Sequence, residues 1–371
     1  MSATSEFIET SITHQLGSVL QNKLSKSEAA VELAHRASSK MSLAWDHANQ
    51  SPLTLNQWQC ARDGSPRWQV QNKRHKNSDK TTFALRAILE AGADFDLLID
   101  MQDHRTRNLI TPDGLVSPVL SFNRPVSKKT GHVLWPLPNY HDVDGPEFLG
   151  GLAPARVPWK SKKDVVAWRG GPGNRGTLRG RGNPMRMLPL LRKYKSGELS
   201  EEDTLSVLGS MPRYRFLKNW INDPRFDIGY TNSDGFVLAN EPFLDVFERP
   251  KIPRETFQDY KYIAVLPGSD VGSSFYWTMN SGSVGLVVDC DFETFATHHF
   301  KPWEHYVPIR RDQANVARVL NWCANHPEDC QAIAKRAQEK CKFLADPDLR
   351  YQTCKGVIAK LRQELTNKKT D

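Results

Sequence analysis

Apolar positions along this chain fall into short solid runs and longer spaced ones, and the two kinds alternate. The solid runs read as strands: Trp68 to Val70, Phe95 to Met101, Val119 to Phe122, His132 to Leu134, Val165 to Trp168, Tyr262 to Leu266 and Val284 to Val288. The spaced runs read as helices. Residues 1 to about 50 carry this pattern, most clearly from Glu28 to Leu43. Thr81 to Ala91 follows, stopped by Gly92, and then come Asn183 to Lys195, Asn315 to Cys323, Asp329 to Phe343 and Tyr351 to Leu365. Gly145 to Pro158, rich in glycine and proline, reads as a linker. Strands alternating with helices on both sides of it predict an α/β protein with two Rossmann-like domains. The expected boundaries are 1–155, 156–345 and a terminal helix over 346–371.

The most informative block is Tyr260 to Ile309. Its first strand stops at Pro267-Gly268 and runs into a small polar loop, Ser269 to Ser274, before a helix-like segment from Phe275 and the strand Val284 to Val288. That is a β-α-β unit. Its loop can aim backbone amides and hydroxyls at a phosphate, and Gly268, Ser269, Gly272, Ser273 and Ser274 are short enough to let an anion approach. Arg169 ends the strand Val165 to Trp168 and is a candidate bidentate phosphate clamp. The stretch Gly171 to Gly176 fits G-x-G-x-x-G formally. Proline at its second position, the TLRGRGNP that follows and the lack of a later acidic strand end argue against a dinucleotide fold.

Charge narrows the partners. The 371 residues carry a formal net charge of +8, which suits an anionic partner such as a sugar nucleotide, an anionic lipid surface or nucleic acid. Lys160 to Arg192 is basic, which suits a nucleic-acid surface, but it lacks aromatic platforms between Gly170 and Lys193, and a loop near an anionic donor or acceptor accounts for the charge equally well. No run of apolar residues is long enough to span a bilayer, and the first residues lack the pattern of a secretory signal. The expectation is a cytoplasmic protein that can approach the membrane surface, or a chain trimmed of its anchor, with its cysteines reduced. Asp289-Cys290-Asp291 is an Asp-x-Asp triplet at a strand end, of a kind that can hold manganese beside a diphosphate or bind ribose hydroxyls, but it reads more simply as a solvated face. His298-His299 lacks a third ligand at metal spacing, so no metal is assigned.

Phe300 to Ile309, FKPWEHYVPI, together with Tyr260-Lys261-Tyr262, Ser281-Gly282-Ser283 and Trp168-Arg169-Gly170, resembles glycosyltransferase family 90, the capsule-associated and protein O-glucosyltransferase-like family that includes lipopolysaccharide-modifying enzymes. The likeness runs from about Asp94 to Leu361. It implies a GT-B-type fold with a cleft between two domains, a UDP-sugar donor (glucose or xylose), and a glycan, lipid-linked or protein acceptor. It also implies metal-independent, inverting transfer with no cofactor beyond the donor.

Within that resemblance Asp103, past the strand Phe95 to Met101, corresponds to the family's general base, with Asp100 as its rival. Lys301 and Trp303 in KPWEHYVP join the expected donor site, although packing accounts for Trp303 and Tyr306 equally well. Two positions depart from the family: Ser274 stands where many members carry an arginine that neutralises donor phosphate, and Pro267 where many have aspartate. Arg169, Arg175 or a nearby lysine would then have to supply the charge. The competing expectation is a non-catalytic protein of the same fold that binds nucleic acid or an anionic glycan.

Overall fold

The computed structural model describes residues 2–21, 42–52, 58–62, 68–72, 79–103, 109–110, 116–126, 130–137, 157–173, 175–178, 181–232, 238, 241–268 and 270–367. Expectations that rest on Ser269, on His104, on 28–41 of the early helical pattern and on 145–156 of the linker lie outside the described residues. The chain divides into two compact units. One comprises Met1–Gly150, Asp291–His299 and Lys342–Asp371; the other comprises Gly151–Cys290 and Phe300–Cys341.

In the first unit the strands are β1 (Ser42–Asp46), β2 (Ser51–Pro52), β3 (Leu97–Asp100), β4 (Val119–Ser121) and β5 (His132–Leu134). They form one sheet in the order β5-β4-β3-β1-β2. β3, β4 and β5 run parallel, whereas β1 pairs antiparallel to β3. Residues 42–46 were expected to be helical. The sheet overrides that pattern, because Leu43 and Trp45 bury completely against the apolar cluster of Leu85, Ile88, Ile99 and Leu120. β3 is buried at every position, as a strand covered on both faces must be. Helix α1 (Ala3–Leu16) and helix α2 (Asp79–Glu90) cover this sheet with the terminal helix Pro347–Asn367. α2 stops where Gly92 takes φ +93°, donating to the carbonyl of Leu89 at 3.0 Å while Ala93 reaches back to Ile88.

Two segments that chain order alone would place elsewhere belong to this unit. The strand Phe292–Thr294 pairs antiparallel with Asn123–Pro125, and Arg124 holds Glu293 at 2.6 Å. The terminal helix packs so closely on α1 that a Cβ on Gly356 would overlap Ile12.

The second unit is built on β6 (Lys163–Gly170), β7 (Phe226–Tyr230), β8 (Tyr260–Val265), β9 (Val284–Val288) and β10 (Val307–Ile309). Their order is β7-β6-β8-β9-β10, and every neighbouring pair is parallel. Val166, Trp168, Tyr262, Ala264 and Leu286 face a large core with helices α3 (Met187–Lys195), α4 (Glu201–Ser210), α5 (Pro212–Trp220), α7 (Val316–Asn325) and the start of α8 (Pro327–Ala345). Ala167 and Ile263 face the other way, toward Phe257 and Trp277; Trp277 lies on the short helix α6 (Phe275–Met279). The molecule is therefore α/β with a parallel sheet and a helical C-terminal region. The stretch 171–178 departs from a dinucleotide fold: Arg175–Leu178 forms a strand paired with Arg181–Arg186, where a phosphate-binding helix would begin.

Candidate functional site

A parallel sheet brings the loops that follow its strands to one edge, and in open α/β sheets that edge carries the chemistry. In the second unit it collects residues 171–173 after β6, Thr231 after β7, and residues 266–268 and 270–274 after β8. Four of the five small residues expected from the loop are described, Gly268, Gly272, Ser273 and Ser274, and they lie here together. The loop is tightly drawn: Gly268 N donates to the carbonyl of Asp270 at 3.1 Å, and Phe275 N to that of Gly272 at 2.9 Å. A Cβ on Gly272 would come within 2.8 Å of the Leu266 carbonyl oxygen, which is backbone and cannot yield.

Arg169 is differently placed from the expected clamp. Its side chain lies along the sheet, where Nη2 and Nη1 hold the carboxylate and carbonyl of Asp227 at 2.5 and 2.8 Å, and Nε donates to Pro250 O at 3.1 Å. The second oxygen of Asp227 accepts from the Tyr260 hydroxyl at 2.5 Å. Burial works against the Asp227 carboxylate, but the bonds from Tyr260 and Arg169 prevail and keep its pKa below the usual range. The Tyr260 hydroxyl is pushed up to about 12, first by burial and then by that same carboxylate. Arg169 thus has its counter-charge within the protein.

Sequence reasoning missed Arg213. It follows Pro212 at the start of α5, a helix not picked out from the pattern, and its guanidinium reaches under both loops. Nη1 donates to the carbonyls of Gly171 and Gly173 at 2.9 and 3.3 Å, and Nη2 lies 3.5 Å from that of Leu266. The guanidinium carbon sits 5.8 Å from the Trp168 ring centre. Burial lowers its pKa, while Tyr230 and Asp270 work the other way. Beside it, Tyr230 ends β7 fully buried, and burial raises its hydroxyl well above the ordinary value. Among the described residues neither Nε of Arg213 nor the Tyr230 hydroxyl has a hydrogen-bond partner. The one sequence signal for Arg213 was indirect: a loop suited to phosphate with no cation of its own.

Lys301 and Trp303 are not brought to this edge. They precede β10, whose strand runs parallel to β9, so they stand toward the sheet's opposite, amino-terminal side. Trp303 is 46% exposed and packs edge-on against Trp322 of α7 at 4.8 Å. The Lys301 amide donates to Nδ1 of His305 at 3.0 Å, and His305 is buried, which lowers its pKa against the pull of Glu304. KPWEHY is thus a packed turn, built on a positive φ at Trp303. Ser281 and Ser283 likewise serve the turn into β9, Ser283 Oγ donating to Tyr260 O at 2.7 Å.

In the first unit Asp103 is exposed just beyond β3. Its rival Asp100 is buried at the strand's end and accepts from the Gln102 amide at 3.1 Å. The Asp-x-Asp triplet is divided, with Asp289 in the second unit and Asp291 in the first.

The second unit is α/β with a small-residue loop at the carboxyl edge of a parallel sheet, the edge where open α/β sheets usually carry their sites. The comparisons narrow the class. Residues 246–348 match the family model described as Glycosyl transferase family 90, so the resemblance read from the sequence is borne out in the region that holds the loop. The O-glucosyltransferase LpsA of Dichelobacter nodosus is 25% identical over 210 residues, covering 56% of this chain and 52% of that protein. Protein O-glucosyltransferase 3 of Homo sapiens is 24% identical over 147 residues, 40% of this chain and 28% of its own length. Protein O-glucosyltransferase 1 of Mus musculus is 29% identical over 80 residues, 22% of this chain and 20% of its own. The chain thus spans about half the length of the first of these relatives and less of the others. Among the described residues no helix is long and apolar enough to cross a membrane.

Proposed function

We propose that this protein is a glycosyltransferase that moves a sugar from a UDP-sugar to a hydroxyl of a glycan, a lipopolysaccharide or capsule sugar, or a protein. The observation that carries the reading is a coincidence of place. The family 90 match covers the β8-loop-β9 unit, and the loop of that unit stands at the carboxyl edge of the parallel sheet with the half-buried Arg213 beneath it. The relatives are named as O-glucosyltransferases, which favours glucose, ahead of xylose, as the transferred sugar.

In this reading the two units are the halves of a GT-B-type enzyme. The acceptor hydroxyl attacks the sugar's anomeric carbon as the bond from that carbon to the diphosphate oxygen breaks. UDP leaves with the electron pair, the configuration inverts, and Asp103 takes the hydroxyl proton. A carboxylate exposed beyond a buried strand is accessible to an acceptor, which favours Asp103 over the buried Asp100. Cationic side chains and loop amides, without a metal, stabilise the leaving diphosphate.

Asp103→Asn should slow transfer by about 10²–10⁴-fold and leave UDP affinity unchanged; full turnover in that variant would move the role to another group. UDP at about 100 times its Kd should stabilise the protein by roughly 2.7 kcal/mol, read as a rise in Tm. Equal protection by ADP, GDP and a polynucleotide, with steep salt dependence, would favour the anion-binding alternative. No protection by UDP would sink the donor assignment.

A further inference from the structure

Phosphate-binding loops are usually matched by a cation, and the loop after β8 has serine at 274 and proline at 267. The nearest arginine on the sheet, Arg169, is neutralised by Asp227 at 2.5 Å. Arg213 is not: among the described residues it makes no ion pair, and its bonds run to neutral carbonyls on two different loops. Those carbonyls orient a guanidinium without cancelling its charge. Burial beside Trp168 desolvates the group, and the nearby Asp270 offsets that cost only in part, so an arriving anion recovers more of it.

Its donors are not exhausted. Among the described residues Nε, itself buried, has no hydrogen-bond partner, and Nη2 has only the long contact to Leu266. Gly268 keeps that side open, since a Cβ there would stand 2.9 Å from Nη2. A planar fork with spare N–H groups fits the oxygens of a diphosphate.

We infer that Arg213 binds the donor's diphosphate from beneath the loops Gly171–Gly173 and Leu266–Ser274, taking the place of the cation absent at Ser274. This rests on the reading of the protein as a UDP-sugar transferase and adds the residue that reads the phosphates. The same side chain, tied to both loops, couples their positions to the arrival of the anion.

The test is calorimetric binding of uridine, UDP and pyrophosphate to wild type, Arg213→Gln and Arg213→Lys. Arg213→Gln should weaken UDP and pyrophosphate by about 10- to 100-fold, the worth of hydrogen bonds to a charged group, and leave uridine unchanged. Arg213→Lys, which keeps the charge and loses the fork, should fall between. If Arg213→Gln weakens uridine as much as UDP, the arginine only holds the loops, and the inference fails. It also fails if UDP affinity is unaltered. Should Arg213→Gln not fold, Arg213→Lys decides the matter by the same comparison of UDP with uridine. Wild type that binds pyrophosphate through Arg213 but shows no preference for UDP over ADP and GDP would overturn the donor reading and keep the anion site. Wild type that binds neither UDP nor pyrophosphate overturns both.

Discussion

Two cations, the buried Lys162 and the half-buried Arg213, stand at opposite edges of the second sheet, and the protein treats them differently. At the amino edge Lys162, only 5% exposed, donates to Gln258 O at 2.5 Å and to Ser283 Oγ at 3.0 Å. It joins the starts of β6, β8 and β9, and Ser283 in turn bonds Tyr260. At the carboxyl edge Arg213 also bonds carbonyls, but among the described residues its own Nε and the hydroxyl of the neighbouring Tyr230 have no hydrogen-bond partner. Burial drops the Lys162 ammonium to about 8, with Asp259 pulling against it, so this cation can shed its proton and stay satisfied. Arginine has no such escape; its charge persists at every working pH. A lysine at the closed edge and an arginine at the open one separate a structural cation from one suited to a ligand.

Lys162→Ala sharpens the contrast most. It leaves the Gln258 carbonyl without its donor and opens a void, so we expect a loss of about 2–4 kcal/mol of stability, read by urea denaturation. UDP protection of the folded fraction should persist; its disappearance would erase the distinction between the edges. The pH dependence follows from the sign of the shift. The unfolded lysine titrates near its ordinary value, about 10.4, and the folded one about 8. Between those values the unfolded state binds more protons, so this residue's contribution to stability rises with pH across the interval and is flat below it. Wild type compared with Lys162→Met across pH 7 to 10.5 isolates that slope. A pH-independent difference would mean the lysine keeps its ordinary pKa.

Gly272→Ala probes the open edge without touching a charge. The new Cβ meets the Leu266 carbonyl at 2.8 Å and must displace the loop. We expect a cost of about 1–3 kcal/mol and a larger proportional loss of UDP affinity than of uridine affinity. Gly209→Ala, whose Cβ would meet nothing within 4 Å on helix α4, is the matched control and should be neutral or slightly stabilising. The smallest effect belongs to Trp303→Ala. Among the described residues its exposed ring packs on the single aromatic Trp322, so a loss of about 1 kcal/mol or less with unchanged UDP binding is expected. A marked fall in UDP affinity would return KPWEHYVP to the donor site.

Much of this unit was legible in the pattern. β9 begins and ends where its apolar run does, β8 and the helices near 320 and 335 fall within a few residues of expectation, and the small-residue loop sits where a strand must stop. The misses share a cause. Helices α4 and α5 have apolar faces set by contact with the sheet, which sequence periodicity records only weakly. Ser42–Asp46 is a strand because an antiparallel partner, Leu97–Asp100, accepts it. Lys301 and Trp303 were grouped with the loop by closeness in sequence. The parallel crossover from β9 to β10 carries them to the far side instead.

The chain's own order of residues determined the α/β class, the βαβ unit from Tyr260 to Val288, the short side chains around its loop and the family likeness. Each of these depends on local spacing, which a linear sequence records directly. Which arginine meets the loop was decided only by the tertiary structure. Arg169 and Arg213 are equally charged on paper, but one lies diagonal to Asp227 across a strand pair while the other emerges from a helix under three carbonyls of two loops. Coulombic balance falls off over a few ångströms, and distances that short between residues far apart in sequence exist only after the sheet has formed.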